Sequence, residues 1–160
     1  MDFIWSPWRY DYLASGGEKP PGCIFCVGSG QPERDAERLI VFRGAHNFII
    51  LNLFPYTSGH LMIAPYEHRD TIIGTNPEQV GEMMELAKRA VSILQKLYEP
   101  DGFNLGMNLG AAAGAGIREH YHLHVVPRWI GDANFMTVTG ETRVLPEDLS
   151  TTYSRIKAIL

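Results

Sequence analysis

Three histidines alternate with apolar residues within residues 119–129, whose sequence is EHYHLHVVPRW. Strict alternation of this kind predicts a β-strand with two unlike faces. His120, His122 and His124 therefore share one face, where each Cα atom lies about 6.5 Å from the next. The residues between them are expected to point into a core: Tyr121, Leu123 and Val125.

The shared histidine face has three possible interpretations. The histidines could simply satisfy local hydrogen bonds, or all three could bind one metal ion. In the third interpretation one histidine is a nucleophile and its two neighbours orient it, because a neutral imidazole attacks phosphorus well near neutral pH. Three histidines in register on a valine-rich strand are costly to bury without a function, which disfavours the first interpretation.

A glycine-alanine loop at residues 110–116, GAAAGAG, leads directly into the histidine segment. Its backbone can approach a ligand closely and offer N–H groups to phosphate oxygens. By itself such a loop could be a plain surface loop. A backbone anion site beside an imidazole nucleophile indicates phosphoryl or nucleotidyl transfer.

Cys23 and Cys26 form a CxxC motif, whose spacing suits two thiolates on one tetrahedral zinc ion. The chain has no second CxxC, so the other two ligands must be histidines distant in sequence. His68 and His120 are the candidates for these two positions. Spacing leaves two alternatives open: His46 and His60. Redox chemistry is a further possibility, but no thioredoxin-like βαβ pattern surrounds the motif.

Length and composition predict one ordinary domain over residues 1–160, with 45% apolar and 20% charged residues. A net charge of −4 argues against binding to a nucleic-acid polymer and leaves a small nucleotide ligand possible. No run of 18 apolar residues is present, so no membrane partner is expected. Residues 1–12 lack the pattern of a secretion signal, which favours a cytoplasmic location.

The elements that must position these residues are mostly strands. Apolar runs predict a β-hairpin at residues 38–42 and 47–53 and further strands at 60–64, 103–109 and 135–138. Strands that cluster in sequence, rather than alternating with helices, favour an antiparallel α+β sheet. We divide the domain into an aromatic N-terminal arm at 1–22, a core at 23–138 and a tail at 139–160. The arm could pack on its own core or on a partner.

Two helices are predicted, at residues 76–99 and 146–160. In the first, Asn76 can cap the helix, Pro77 suits the first turn, and Gln79 could complete a capping box. The apolar stripe expected to be buried is Val80, Met83, Met84, Ala87, Val91, Leu94 and Tyr98. The second carries its own stripe of Leu149, Tyr153, Ile156 and Leu160.

The segment HYHLHVV at residues 120–126 resembles the signature of the histidine triad (HIT) family, in which three histidines alternate with apolar residues. The likeness continues upstream through Asn52, Pro55, the SGH of residues 58–60, Ala64-Pro65 and the NLG of residues 108–110. The flanks, WSPWR at 5–9, GCIFC at 22–26 and PRW at 127–129 with GDANFM at 131–136, are similar to the bacterial diadenosine tetraphosphate (Ap4A) phosphorylase branch.

This resemblance implies a five-stranded antiparallel sheet with helices, paired in a homodimer into one ten-stranded sheet. It implies cleavage of a dinucleoside polyphosphate through a covalent nucleotidyl-His122 intermediate, with phosphate or water as acceptor. His124 would contact the α-phosphate and the bridging oxygen. Structural zinc would be bound by the family's four ligand positions: Cys23, Cys26, His68 and His120.

The resemblance also implies the nucleotide contacts. Asn52 matches the position that holds the ribose, and Ile50 and Met62 would flank the adenine. Asn108 matches a phosphate contact, and Trp129 could stack on the second base. The loop residues that would hold phosphate are Gly114, Ala115 and Gly116.

Gly116 departs from the family, which usually has Gln or Ser four residues before the first histidine of the triad. A backbone cradle survives this change, but a side-chain hydrogen bond does not. The choice of substrate, and of water or phosphate as acceptor, depends on this position. Three alternatives stay open. One is a hydrolase of adenosine phosphoramidates or adenylyl conjugates, distinguished by its substrate. The others are a nucleotide-binding sensor with weak catalysis, and a zinc-dependent interaction module that binds no nucleotide.

Overall fold

The structure is a computed structural model that describes residues 22–132 and 147–160. Within those residues it has three helices, α1 (Ile24–Ser29), α2 (Pro77–Tyr98) and α3 (Leu149–Lys157). Its strands are β1 (Ile40–Arg43), β2 (Asn47–Leu51), β3 (Leu61–Pro65), β4 (Gly102–Gly106) and β5 (Leu123–Arg128). Residues 1–21 of the predicted arm and the strand predicted at 135–138 lie outside the described residues.

The five strands form one antiparallel sheet in the order β1-β2-β3-β5-β4, which confirms the predicted α+β class. The register aligns Ile50 with Met62, and Met62 with His124. On the other side of β5, Asn104 pairs with Val126. Partners in a ladder share a face, so these side chains lie on the same side of the sheet.

The histidine strand is shorter than the alternation predicted, because β5 begins at Leu123 and includes only His124 of the three histidines. Proline has no N–H to give to a ladder, and Pro65 ends β3 beside this point. The backbone N–H of Tyr121 instead donates to the carbonyl oxygen of Arg69 at 2.7 Å. The alternation itself is confirmed, because the residues between the histidines are buried in the core: Tyr121, Leu123 and Val125.

Helix α2 begins as predicted, since the side chain of Asn76 accepts a hydrogen bond from the backbone N–H of Glu78 at 2.9 Å. The capping box is wrong, because Gln79 is buried and donates to the hydroxyl of Tyr121. The stripe is also partly wrong: Val80 and Met84 are 39% and 49% exposed. The helix is rotated so that a slightly different face packs on the sheet: Met83, Leu86, Ala87, Ala90, Ile93 and Leu94.

Two apolar cores lie on opposite faces of the sheet. The larger one is packed by α2 and by α3, whose Ile156 is fully buried. The smaller one, on the face that carries the histidines, centres on Phe25 of α1 with Ile40, Phe48, Ile50, Met62 and Ala64. No helix in the described residues has the length and apolar character needed to cross a membrane.

A single carboxylate joins the β1–β2 hairpin to α2. Glu82 accepts hydrogen bonds of 2.6–2.8 Å from the backbone N–H groups of Ala45, His46 and Asn47 and from the Asn47 amide. Burial raises the pKa of Glu82, but these hydrogen bonds outweigh it and the pKa is lowered. A side chain at Gly44 would meet the Glu82 carboxylate at 2.7 Å. The hairpin, and with it the strand that carries Ile50, is therefore fixed on the helix.

Candidate active site

Four side chains from three parts of the chain meet at one point. The ligand atoms of Cys23, Cys26, His68 and His120 all lie within 4.8 Å of one another. Tetrahedral zinc, with bonds of about 2.3 Å to sulfur and 2.0–2.1 Å to nitrogen, separates its S and N ligands by about 3.5 Å. The observed separations of Sγ and Nδ1 are 3.1, 3.4 and 3.6 Å. The chemistry and spacing of this group fit zinc, and the predicted set is confirmed as a cluster.

His120 is held in the tautomer that a metal ligand needs. Its Nε2 lies 2.9 Å from the carbonyl oxygen of Pro65, which can only accept, so Nε2 carries the proton. Nδ1 is then unprotonated and directed at Cys23 and Cys26. A carbonyl partner behind a ligating imidazole is a common feature of metal sites.

His122 is buried, and its free nitrogen is defined by a backbone contact. Its Nδ1 lies 2.9 Å from the carbonyl oxygen of His120 and therefore donates to it. The neutral ring then has its lone pair on Nε2, the form required for nucleophilic attack. The ring packs against Phe25, with centroids 5.0 Å apart, and edge-on against His124 at 4.7 Å.

His124 is oriented by a histidine that spacing suggested only as an alternative zinc ligand. The backbone N–H of Tyr56 donates to Nδ1 of His60 at 3.1 Å, so His60 carries its proton on Nε2. Nε2 of His60 lies 2.9 Å from Nδ1 of His124 and donates to it. His124 therefore carries its own proton on Nε2, where it can be donated to a ligand. Asn52 also contacts Nδ1 of His60, at 3.2 Å.

The loop before β3 brings His60 to this position. Gly59 has a φ of +78°, a conformation that favours glycine, and a side chain there would meet Leu94 at 2.9 Å. The hydroxyl of Thr57 donates to the carbonyl oxygen of Pro127 at 2.9 Å, which ties the loop to β5. The contact between His60 and His124 thus depends on loop geometry and not on sequence spacing.

Burial keeps the histidines of this face neutral. It lowers the pKa of His122, against the smaller opposing effect of the bond to the His120 carbonyl. Burial and the neighbouring His124 and His122 lower the pKa of His60 to about 3. Burial and His122 lower the pKa of His124 to about 4. Near neutral pH the site therefore presents one uncharged nucleophilic nitrogen beside one uncharged N–H donor.

The predicted adenine contacts lie next to the histidines but are covered. Ile50 and Met62 are buried in the smaller core, where they share a cluster with Phe25. Phe25 also packs against the rings of His120 and His122 at 5.1 and 5.0 Å. Sequence reasoning missed Phe25, although its position inside the CxxC motif next to the zinc cluster was a signal.

The glycine-alanine loop contains a short 3-10 turn, Ala111–Ala113. Two of the predicted phosphate contacts use their N–H groups inside the loop: Gly114 donates to Ala111 and Ala115 donates to Gly110. For Gly116, no acceptor of its N–H is found in residues 22–132 or 147–160. Gly116 is therefore the predicted loop residue whose backbone donor is open to a ligand.

The two remaining predicted residues, Asn108 and Trp129, lie in different parts of the structure. Asn108 lines an open cavity of about 290 Å³ next to His124, together with Tyr56 and Arg128. Trp129 is elsewhere, because its indole N–H bonds the carbonyl oxygen of Tyr98 at the end of α2, on the opposite side of the sheet. The structure does not bring Trp129 together with the histidines of its own chain.

The fold and the site define a class of protein: an antiparallel α+β domain that presents a buried histidine with a free Nε2 lone pair between a histidine of the Cys/His cluster and a histidine N–H donor. The sequence matches the HIT domain family over residues 33–129. The chain belongs to the histidine triad family.

Individual relatives agree with this assignment. The chain is 38% identical over 154 residues to a Mycobacterium tuberculosis protein named AP-4-A phosphorylase, covering 93% of this chain and 79% of that one. A zinc-bound histidine triad family protein from Mycobacterium smegmatis superposes with a TM-score of 0.66 at 27% identity, over 86% of this chain and 91% of that one. The diadenosine triphosphate hydrolase of Plasmodium falciparum, at 18% identity, shares the fold with a TM-score of 0.63, over 77% of this chain and 76% of that one.

Proposed function

We propose that this protein is an enzyme that cleaves dinucleoside polyphosphates such as Ap4A by nucleotidyl transfer to His122, with phosphate or water as the final acceptor. The observation that carries the proposal is that His122, with a lone pair on Nε2, and His124, with a proton on Nε2, lie side by side with ring centroids 4.7 Å apart. The relative named AP-4-A phosphorylase supports the choice of substrate.

In the first step, Nε2 of His122 attacks the α-phosphorus of the dinucleotide. A bond forms between Nε2 and phosphorus, and the bond from phosphorus to the bridging oxygen breaks. The electron pair leaves with the nucleoside polyphosphate, whose oxygen accepts a hydrogen bond from Nε2–H of His124. The imidazole of His122 gains positive charge, and its Nδ1–H bond to the His120 carbonyl stabilises that charge.

In the second step, phosphate or water attacks the same phosphorus and the bond to Nε2 of His122 breaks. With phosphate the products from Ap4A are ADP and ATP, and with water they are AMP and ATP. Either acceptor restores neutral His122 after loss of one proton from the acceptor. We assign the N–H of Gly116 to a phosphoryl oxygen, because it has no acceptor within residues 22–132 and 147–160 and its loop leads directly into the histidine segment.

We propose that Cys23, Cys26, His68 and His120 hold a structural zinc ion. These four residues would hold the ion away from the reacting atoms, and zinc there would fix His120, whose carbonyl oxygen orients His122. The tetrahedral spacing of the ligand atoms and the zinc-bound relative from Mycobacterium smegmatis support this assignment.

Ribose contact by Asn52, an adenine site beside Ile50 and Met62 and a phosphate contact by Asn108 complete the proposed site. We also propose a homodimer in which two sheets join, since β4 lies at the edge of the sheet and Leu105 on it is 43% exposed. A cytoplasmic location is supported by two cysteines that form no disulfide.

The test is the product set from purified protein and Ap4A, with and without orthophosphate. ADP that appears only with phosphate supports a phosphorylase, and AMP with ATP under both conditions supports a hydrolase on the same route. Absence of cleavage of Ap4A, together with turnover of adenosine phosphoramidate, would overturn the proposed substrate. Absence of both activities with AMP still bound would favour a binding protein.

A further inference from the structure

Of the open cavity beside His124, the proposed reaction uses only His124 itself and the phosphate contact proposed for Asn108. It has a volume of about 290 Å³ and continues away from His122 along β5. We call it the outer trough, and it is lined by Tyr56, Asn104, Leu105, Gly106, Asn108, His124, Val126 and Arg128.

The outer trough lies where the leaving group must go. In phosphoryl transfer the attacking and leaving groups are roughly in line, so the leaving oxygen is on the side of phosphorus away from Nε2 of His122. The donor nearest to that oxygen is Nε2–H of His124, and His124 forms the inner wall of the trough. Alternate residues of β5 then carry the same face outward through Val126 to Arg128.

Arg128 lies at the outer end of the trough, and only some of its N–H donors are hydrogen-bonded there. Its Nε and Nη2 donate to the carboxylate of Asp132 at 2.5 and 2.7 Å, and its Nη1 donates to the side-chain oxygen of Asn104 at 2.7 Å. A guanidinium has five N–H donors, so two of them have no acceptor within residues 22–132 and 147–160. The side chain is 43% exposed. These donors are available to an anion in the trough.

The distance along the strand sets the size of the ligand. Four residues of a β-strand span about 13 Å, which separates the Cα atoms of His124 and Arg128. A single leaving atom or amine at His124 cannot reach the arginine. A chain of several phosphates can, because the long side chain of Arg128 shortens the gap.

We propose that the outer trough binds the phosphates of the departing nucleotide and that Arg128 is a specificity-determining residue that favours long polyphosphate leaving groups. This inference depends on the proposed function, since it assigns the other half of the same substrate. Asn104 positions the guanidinium of Arg128 by accepting a hydrogen bond from it. Asn108 and Tyr56 also line the trough. Gly106 pairs with His124 across the ladder and has no side chain to occupy the trough there.

The test compares kcat/KM for Ap4A, diadenosine triphosphate and adenosine phosphoramidate in the wild type and in Arg128→Gln. Because charge-assisted hydrogen bonds are lost only with the long substrate, the preference for Ap4A over the phosphoramidate should fall by about tenfold or more. The affinity for ATP should weaken relative to the affinity for AMP in direct calorimetry. Arg128→Lys, which keeps the charge without the planar donor pair, should fall between the two.

Arg34→Gln is a matched control. Arg34 also bonds a carboxylate, that of Glu37, and an amide oxygen, that of Gln31, and it is 45% exposed, but it does not line the trough. Thermal unfolding identifies variants that fail to fold. Equal losses on all three substrates in a folded Arg128→Gln protein, or no change in preference, would overturn the inference. Failure of the wild type to cleave either dinucleotide would instead refute the proposed function.

Discussion

Nε2 of His60 lies 2.9 Å from Nδ1 of His124, and this single contact determines which nitrogen of His124 carries its proton. Tyr56 fixes the first ring by donating to Nδ1 of His60, and His60 fixes the second. The successive N–H donors of Tyr56, His60 and His124 therefore all point toward the site. His60 is fully buried, so its ring is shielded from the water that could reorient it.

The buried His60 should make the fold sensitive to acid. Its pKa is lowered from the usual 6.5 to about 3, so the unfolded chain binds a proton more readily than the folded one between these values. The stability that this residue contributes is complete above about pH 6.5 and is lost as the pH falls toward 3. The groups that face it are His124, Tyr56 and, more distantly, His122.

Between about pH 7 and pH 5 the free energy of unfolding should fall by about 2 kcal/mol through His60 alone. His60→Gln keeps an acceptor and a donor but does not titrate, so its stability should change less over the same range. Urea unfolding at a series of pH values, with zinc added in excess, measures the difference. Parallel pH profiles for the two proteins would contradict the assignment.

His122→Asn should abolish turnover because the amide cannot form the covalent intermediate. We expect kcat for Ap4A to fall on the order of a thousandfold or more, while AMP binding stays close to that of the wild type. Stopped assays and calorimetry on the same preparation provide both values. His46→Asn is the control, because His46 is exposed and belongs to neither histidine cluster. Wild-type turnover by the His122 variant would refute the nucleophile.

The zinc cluster predicts one bound zinc ion per chain in the purified protein. Cys26→Ser should reduce the zinc content well below one equivalent and lower stability by more than about 2 kcal/mol, because ligand binding and folding are coupled. Elemental analysis and thermal unfolding measure the two effects. His46→Gln should retain full zinc. A wild-type protein that is folded and nearly free of zinc would argue against the four-ligand site.

Gly116→Ser should be tolerated by the fold. A side chain at Gly116 meets no atom within 4 Å and the backbone there needs no left-handed conformation, so stability should change by no more than about 0.5 kcal/mol. Gly114→Ser is the matched control, because its φ of +82° should cost about 1–2 kcal/mol. Chemical denaturation compares the two.

The same Gly116→Ser substitution adds a hydroxyl beside an open backbone N–H. We expect kcat/KM for Ap4A to rise about three- to tenfold, the value of one additional hydrogen bond to phosphate. The ratio of ADP to AMP among the products, at fixed orthophosphate, shows whether the hydroxyl also changes the choice of acceptor. Unchanged kinetics would mean that the loop holds phosphate by its backbone alone.

Sequence reasoning found the parts of the site that depend on local periodicity. The alternation of the histidines indicated the shared histidine face, and the CxxC spacing indicated two ligands of the candidate zinc cluster, because each pattern lies within a few neighbouring residues. It did not predict the bond between His60 and His124, since a loop conformation places them together across 64 residues. Arg128 was missed for the same reason, as its partner Asn104 belongs to another strand.

The fold was likewise predictable from the sequence only in part. The antiparallel class, the capping Asn76 and most elements were predictable because each depends on neighbouring residues. The face of α2 was not, because Val80 and Met84 fit the apolar period and only the rotation of the helix against the sheet leaves them exposed. The histidine strand begins later than the alternation predicted because of Pro65, which belongs to the neighbouring strand β3 and is remote in sequence.

His120 meets three partners through three different atoms: the cysteine sulfurs through Nδ1, Pro65 through Nε2 and His122 through its carbonyl oxygen. No other residue type can replace all of these contacts, since a cysteine would lack the Nε2–H and an asparagine would bind zinc poorly. A mutation at this position is therefore expected to weaken the proposed zinc site and, through the shifted carbonyl, to change the orientation of His122. Of the three histidines, His120 is the one that contacts both the Cys/His cluster and His122.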